Sequence, residues 1–173
     1  MKKYKFVNYN KKYPCLFDKE KIKLKEILPD SEIEHIGSTA VNGLGGKGII
    51  DILICVSKNN ISSAKDKLIN YNYKFNLTGG DKGRLFFYRD YGFFKKRRVH
   101  LHLSYFNSKI SKEDILFRDK LKESLNLREE YSELKRKAIL LGKEKKEYRD
   151  FKNKFIKNVV KRRWYQENQL IIL

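Results

Sequence analysis

The feature that most constrains this chain is an apolar run, Ile49-Ile50-Asp51-Ile52-Leu53-Ile54, that carries one carboxylate. A near-continuous apolar run of this length is typical of a strand buried on both faces, which indicates a sheet covered by helices. Burying a lone Asp among Ile side chains is costly unless something compensates its charge. A metal ion or a nucleotide with its cation would do so, and Asp51 is therefore the first candidate for a functional residue.

A Gly-Ser pair precedes this run, within the segment Glu34-His35-Ile36-Gly37-Ser38-Thr39-Ala40. It predicts a turn at the mouth of a short helix, where backbone N–H groups bind a phosphate. An Asp on the next strand is then placed to hold the accompanying cation. The structural alternative is a tight turn with a Ser cap. The position of the pair ahead of Asp51 favours phosphate binding by Gly37, Ser38 and Thr39, and indicates a nucleotidyl-transfer site.

Length and composition predict one soluble domain. A chain of 173 residues with 40% hydrophobic and 13% aromatic residues buries a sizeable core, and is too short for two full-sized domains. Its apolar runs are shorter than a membrane span, and the basic start Met1–Phe6 leads into no apolar signal region, so we expect a cytoplasmic protein without a membrane partner. Cys15 and Cys55 lie outside any CxxC pattern and indicate neither a disulfide nor a zinc site.

The charge balance favours a polyanionic partner. Forty basic and 21 acidic residues give a net charge of +19, and the segment from Lys143 to Arg163 alone carries ten basic and three acidic residues. Such a surface attracts RNA, so RNA binding through the basic C-terminal helix is one hypothesis. The alternative is that a Lys-rich composition reflects an AT-biased genome and that this helix face is simply solvated.

Periodicity predicts an α/β (α+β) fold in one domain spanning 1–173. Residues 1–108 form a mixed sheet covered by helices, and residues 109–173 form a C-terminal helical layer. In the last helix, Lys145–Trp164, the predicted buried stripe is Tyr148, Phe151, Phe155 and Val159, with Ile156 and Val160 as further candidates. The remaining predicted elements are a helix over 17–28, strands over 31–36, 49–56, 74–77, 84–88 and 97–105, a short helix over 39–44, a helix over 61–71, a mobile loop over 78–83, and two helices from Ser111 to Gly142.

The strand from Arg97 to Tyr105 alternates apolar and polar residues, so that His100 and His102 point to one face. Their i, i+2 spacing suits joint metal coordination or proton transfer, although strand histidines are often only hydrogen-bonded. Glu34 is the candidate for an added carboxylate ligand. Lys47 and Arg84 are candidates for phosphate contacts, the alternative being exposed cations without a special role.

Several motifs together resemble the GrpB-like family. They are Glu34-His35-Ile36-Gly37-Ser38-Thr39-Ala40-Val41, Lys47-Gly48-Ile49-Ile50-Asp51-Ile52-Leu53, His100-Leu101-His102-Leu103, Phe117-Arg118-Asp119 and the closing Tyr148, Lys152, Phe155 and Ile156. The match covers nearly the whole chain. The resemblance implies a fold of the nucleotidyltransferase superfamily.

One position departs from the pattern of that superfamily. Active members carry Asp-x-Asp or Asp-x-Glu on the strand after Gly-Ser, because two divalent ions each need carboxylate ligands. Here the second position is Leu53. A set of Asp51, Glu34 and His102 would hold one Mg²⁺ weakly or favour a softer ion such as Mn²⁺, since imidazole is a poor Mg²⁺ ligand.

Two functions remain open from the sequence. The first is metal-dependent transfer of a nucleoside monophosphate from a triphosphate (NTP) to a hydroxyl or phosphate acceptor, with Asp51, His102 and His100 as catalytic residues. The second is a catalytically degenerate module of the same fold that binds a nucleotide, a CoA-like molecule or RNA. Leu53 favours the second function, and the polar histidine face favours the first.

Overall fold

The fold is a five-stranded sheet between two helical layers, in a computed structural model that describes residues 5–81, 83–92, 97–140 and 145–169. The mixed sheet and the helical C-terminal layer confirm the predicted fold class. The elements in chain order are α1 (Tyr13–Ile27), β1 (Glu32–Ile36), β2 (Ile50–Val56), α2 (Ile61–Asn70), β3 (Lys74–Asp81), β4 (Arg84–Tyr91), β5 (Arg97–Tyr105), α3 (Lys109–Glu123), α4 (Leu125–Leu140) and α5 (Lys145–Gln169), with 3-10 turns at Ser38–Ala40 and Lys58–Asn60.

The strands lie in the order β1-β2-β5-β4-β3. β2 and β5 pair in parallel, and the other neighbouring strands pair antiparallel. Because a parallel pair needs a long crossover connection, the segment from α2 through β4 separates these two strands in the chain. The sheet thereby brings the apolar strand with Asp51 directly beside the strand with the two histidines.

The apolar run of β2 is buried on both sides of the sheet, as its sequence predicts. Ile50, Ile52 and Ile54 face the core formed with α1 and α2, and each is 1% exposed or less. Leu53 and Cys55 face the opposite side, where Ile115 of α3 packs against them. Asp51 is the one β2 residue that is not fully buried. Its carboxylate therefore lies at the exposed end of an otherwise closed face.

A second cluster joins the C-terminal helices to the loop that follows the Ser38–Ala40 turn. Val41 and Leu44 pack against α3, α4 and α5 through Phe117, Tyr131 and Val160. Burying side chains of this size stabilises a fold by about 1.5–3 kcal/mol each. The helical layer thus holds the loop between β1 and β2 in place.

Three boundaries differ from the prediction. The expected loop over 78–83 is largely strand, because β3 continues to Asp81 and β4 to Tyr91. Glycines look like loop signals, but here they allow close strand approach: a Cβ on Gly79 would stand 2.5 Å from the Phe86 ring. The predicted helix over 39–44 is a single 3-10 turn, and α1 begins earlier than predicted, at Tyr13, with a proline in its first turn.

The C-terminal layer follows most of the predicted stripe. Tyr148 and Val160 are each 6% exposed, whereas Phe151 is 43% exposed, so its predicted burial is wrong. Phe155, Ile156 and Val159 are half-buried against the cluster that contains Phe117 and Tyr131. Across the described ranges, every helix is too short or too polar to cross a lipid bilayer.

Candidate functional site

The site is built around a close approach between Gly37 and Asp51. Ile36, the last residue of β1, pairs with Asp51 of β2, so the chain turns at Gly37 directly beside that carboxylate. Gly37 has φ of 71°, and a Cβ there would stand 2.5 Å from Oδ2 of Asp51. Only glycine adopts this backbone conformation without strain while leaving room for the carboxylate. Oδ2 of Asp51 consequently faces the Gly37-Ser38 turn.

The other carboxylate oxygen faces the two histidines of β5. Asp51 stands opposite His100 in the parallel register, and Leu53 stands opposite His102. Oδ1 of Asp51 lies 3.1 Å from Nδ1 of His100 and 3.6 Å from Nε2 of His102. The structure thus brings together the three residues that the sequence singles out for catalysis.

The hydrogen bonding of these groups defines their protonation. Burial alone would raise the pKa of Asp51, but the hydrogen bond from His100 and the nearby ring of His102 outweigh it and hold that pKa well below its usual range. An ionised carboxylate only accepts hydrogen bonds, so Nδ1 of His100 donates to it. Burial lowers the pKa of His102, although the nearby Asp51 carboxylate opposes this shift.

Phe86 of β4 closes one side of the pair of histidines. Its ring centroid lies 4.8 Å from that of His100 and 5.3 Å from that of His102. Nδ1 of His102 is buried and has no hydrogen-bond partner among the described residues. Buried polar atoms are normally paired, so an unsatisfied ring nitrogen on this face is typical of a functional rather than a purely structural side chain.

The turn residues divide their roles. The Thr39 side chain is buried, and its hydroxyl donates to the carbonyl of Ile49 at 3.1 Å while accepting from Nε2 of His35 at 3.0 Å. Its hydroxyl thus braces the turn from inside. Ser38 is partly exposed, and its Oγ lies against the Cα of Gly46, where a Cβ would collide with it.

Glu34 lies on the same sheet face as Asp51. It comes two residues before Ile36, the residue of β1 that pairs with Asp51. Its Oε2 accepts from Nη1 of Arg118 at 2.5 Å, and the same guanidinium binds Asp119 at 2.8 Å. Arg118 therefore holds two acids of the chain in ion pairs. The ion pair with Arg118 engages the Glu34 carboxylate that the sequence assigns to a metal ion.

The two predicted phosphate contacts also have protein partners. Arg84 Nη1 donates to Asp114 of α3 at 2.7 Å, and its side chain is 15% exposed. Nζ of Lys47 lies 4.0 Å from the ring centroid of Tyr148, a cation–π distance. Both side chains connect the sheet and its loop to the C-terminal helices.

In the described ranges, no three His, Cys, Asp or Glu side chains are grouped so that they could hold a metal ion by themselves. Leu53 occupies the position where a second carboxylate would stand, and it is fully buried against Ile36 and Cys55. Mg²⁺ is commonly held by one or two carboxylates together with substrate phosphates. Asp51 suits that arrangement, in which the cation arrives with a nucleotide.

One residue of interest was not singled out from the sequence. Lys135 of α4 is 3% exposed, and its Nζ donates to the carbonyl of Gly45. The signal was present, because Lys135 shares a helical stripe with the buried residues Tyr131 and Ala138. A lysine on such a stripe is unusual, since lysines are almost never fully buried unless paired.

Known proteins match this chain over most of its length. The sequence model described as "GrpB protein" matches residues 3–162. UPF0157 protein YqkA of Bacillus subtilis is 33% identical over 138 residues, which are 78% of this chain and 39% of that protein. A UPF0157 protein of Halalkalibacterium halodurans is 28% identical over 162 residues, which are 90% of this chain and 80% of that protein. This chain therefore spans well under half of the Bacillus relative.

Solved structures show the same fold. The crystal structure of conserved protein GrpB from Enterococcus faecalis superimposes with a TM-score of 0.75 and 27% identity, covering 92% of this chain and 99% of that one. A structure of Cid1, described by its RNA terminal uridylyl transferase activity, superimposes with a TM-score of 0.51 and 15% identity. It covers 74% of this chain and 39% of Cid1, so this likeness concerns the fold alone.

Proposed function

The chain belongs to the GrpB protein family, and we propose from its site that it transfers a nucleoside monophosphate from an NTP to a hydroxyl or phosphate acceptor. The observation that carries the proposal is the position of Asp51. One oxygen of its carboxylate faces the Gly37-Ser38 turn, and the other faces two histidines. A phosphate-binding turn and a proton-accepting group would thereby meet at a single ionised side chain.

The donor phosphates would lie at the turn. Gly37 and Ser38 offer backbone N–H groups and one hydroxyl, and Thr39 holds the turn rigid through its bond to the Ile49 carbonyl. Rigid donors of this kind stabilise developing negative charge without reorganising during the reaction. Lys47 and Arg84 would contribute positive potential from positions set by Tyr148 and Asp114.

The proton of the acceptor would pass to His100. With Nδ1 bonded to the Asp51 carboxylate, Nε2 of the neutral ring is the atom that accepts a proton. Asp51 then stabilises the imidazolium that forms, as a carboxylate does beside a catalytic histidine. The acceptor oxygen bonds to the α-phosphorus, the bond from that phosphorus to the β-phosphate oxygen breaks, and pyrophosphate leaves with the electron pair.

A divalent cation, Mg²⁺ or Mn²⁺, would neutralise the triphosphate and polarise the α-phosphate. Asp51 would hold it, with His102 as a second ligand, because the lowered pKa of His102 keeps its imidazole neutral. Imidazole favours Mn²⁺ over Mg²⁺. We assign Glu34 a secondary place among the ligands, since its carboxylate would have to leave Arg118.

RNA is one acceptor worth testing. The exposed lysines of α5, Lys154, Lys157 and Lys161, provide a basic strip on the C-terminal layer. Cid1, whose fold this chain shares, is described by RNA terminal uridylyl transfer, and that description belongs to Cid1. A hydroxyl on RNA is the acceptor that the basic strip of this chain would position.

A second candidate function is binding without transfer. Leu53 stands fully buried where active members of the superfamily carry another carboxylate, so a two-ion mechanism lacks a ligand. In that case the same turn and the same Asp51 would hold a nucleotide, a CoA-like molecule or RNA without turnover.

Pyrophosphate release separates the two functions. The purified protein is incubated with each NTP, Mn²⁺ or Mg²⁺, and a pool of RNA and small metabolites. The proposal expects release that Asp51→Asn reduces by about ten-thousandfold, the size seen when a carboxylate no longer orients a catalytic histidine. Asp66→Asn is the matched control, because Asp66 is an exposed carboxylate on α2 far from the site in the chain.

Each outcome decides between the candidates. Release in the wild type and in Asp66→Asn, but not in Asp51→Asn, supports transfer. Tight triphosphate binding without release for any metal or acceptor rejects transfer and leaves the binding module. Release that survives in Asp51→Asn assigns the activity to a different site or a contaminant.

A further inference from the structure

Lys135 lies buried where the C-terminal helices meet Gly45 and Gly46 of the loop between β1 and β2. Its Nζ donates to the carbonyl of Gly45 and lies 4.5 Å from the ring centroid of Tyr131. No ion pair joins it to a carboxylate among the described residues, so the groups in direct contact with its charge are a carbonyl and a ring. Burying a charge without a paired charge is costly.

The amine is next to the turn of the proposed nucleotide site. A Cβ on Gly46 would stand against Oγ of Ser38 and 3.6 Å from Nζ of Lys135. The ammonium and the hydroxyl therefore both lie on the side of Gly46 that a side chain would occupy. An ammonium has three donors, and Gly45 uses one of them.

The charges around Lys135 make its protonation sensitive to a bound anion. Burial, with smaller contributions from Lys152 of α5 and Arg136 of α4, lowers its pKa to about 7, and Asp51 of β2 opposes this shift. The phenol of Tyr131 is buried, and its pKa is raised well above the usual value, so it stays neutral. An added phosphate would reverse this balance in favour of the charged amine.

We infer that Lys135, the Ser38 hydroxyl and the Gly45–Gly46 backbone form a polyphosphate subsite whose occupation is coupled to proton uptake by the Lys135 amine. The subsite would take the terminal phosphates of the triphosphate, and this assignment rests on the proposed nucleotide site. Charge-assisted hydrogen bonds to phosphate oxygens would replace most of the hydrogen bonds to water that the ammonium loses on burial. Without the anion the amine is held in part as the neutral form, which lessens the penalty of its burial.

The test uses inorganic tripolyphosphate with a chelator present, so that no metal ion contributes. Calorimetric titration compares the wild type with Lys135→Gln, which keeps a donor for the Gly45 carbonyl but removes the charge. The expected loss of affinity is about tenfold to a hundredfold, the value of one hydrogen bond to a charged group. Lys137→Gln is the matched control, since Lys137 is on the same helix with a side chain that is 70% exposed.

Proton uptake is measured by repeating the titration at pH 7 in two buffers of different ionisation enthalpy. The wild type should take up more protons per bound tripolyphosphate than Lys135→Gln does. The titration of the ligand itself is common to both proteins, so the difference reports the Lys135 amine. Equal affinity and equal uptake in the two proteins overturn the inference. An equal loss in Lys137→Gln also overturns it, because bulk charge would then explain the binding.

Two further measurements keep the inference testable and separate it from the transfer reaction. If Lys135→Gln fails to fold, Lys135→Met takes its place. Weaker binding by Ser38→Ala together with more proton uptake by the wild type than by Lys135→Met supports the subsite, and equal uptake overturns it. Metal-free tripolyphosphate binding should need Lys135 but not Asp51. Binding that depends on Lys135 without any transfer rejects the reaction alone, whereas transfer with unchanged binding in Lys135→Gln rejects the subsite alone.

Discussion

Oδ2 of Asp51 occupies the space beside Gly37 that any other side chain at position 37 would fill. The strand register creates this relationship, because β1 ends opposite Asp51 and the chain turns immediately afterwards. The glycine is thus as much a part of the site as the carboxylate.

Gly37→Ala should therefore abolish triphosphate binding as well as lower stability. Gly37 combines φ of 71° with ψ of −171°, a backbone region that strains any L-residue by about 1–3 kcal/mol, and the new methyl group would also displace the Asp51 carboxylate. Gly43→Ala is the matched control: Gly43 has a similar φ of 78° but no atom within 4 Å of its Cβ position. Urea unfolding should show a loss of stability in both variants, larger in Gly37→Ala, and nucleotide affinity should fall only in Gly37→Ala. Equal affinity in the two variants would contradict the role assigned to this close approach.

Acid should destabilise the protein through His35. Its ring stacks on Phe17 at 4.5 Å between centroids, and burial lowers its pKa to about 4. Because the folded pKa is below the ordinary value of about 6.5, the unfolded chain binds the proton more readily. The contribution of neutral His35 is complete above pH 6.5 and is lost as the pH falls towards 4, by about 3 kcal/mol at most.

His35→Gln removes this titration while keeping an amide that can donate to Thr39. Urea unfolding of the wild type and the variant, measured from pH 7 to pH 4, should give a shallower loss of unfolding free energy for the variant. Parallel pH profiles would show that other groups cause the acid sensitivity.

Arg118→Ala should lower stability without removing nucleotide binding. Arg118 is 11% exposed and connects α3 to β1 through Glu34 and the carbonyl of His35. We expect a loss of about 1–2 kcal/mol, because Glu34 and Asp119 are partly exposed and water screens both pairs. Lys120→Ala, which removes an exposed pair with Glu123, should change the unfolding free energy by less than about 0.5 kcal/mol. Loss of metal-dependent binding in Glu34→Gln would instead favour Glu34 as a ligand.

RNA binding, if it uses α5, should depend on salt and on three lysines. Charge reversal at Lys154, Lys157 and Lys161 should make the dependence of log K on log salt less steep by about 0.7 for each RNA phosphate that the protein no longer neutralises. The control reverses the equally exposed Lys11, Lys12 and Lys19 near the start of α1. Filter binding or fluorescence anisotropy at several salt concentrations measures both. An equal effect of the two triple variants would show that RNA binding depends on general surface charge rather than on α5.

Local patterns predicted the parts of this molecule that depend on local geometry. The alternation of β5 places His100 and His102 on one face, and the apolar run of β2 predicts its burial, because the period of a strand is set by its own backbone. The glycines of β3 led to the prediction of a loop, because the sequence does not show that a neighbouring strand approaches them closely. The positions of Glu34 and Lys135 depend on partners 84 and 90 residues away, and periodicity carries no information about such pairs.

The parallel pairing of β2 with β5 sets the order in which this molecule becomes functional. Asp51 and His100 are 49 residues apart in the chain, and the connecting segment contains a helix and two strands. Contacts between distant segments form late, because the entropy of closing the intervening chain must be overcome first. A nascent chain that has emerged only as far as β4 would possess the turn and the carboxylate but no histidine partner. Nucleotide binding that requires the whole trio would therefore report completion of folding, and its appearance would coincide with the slowest phase of refolding.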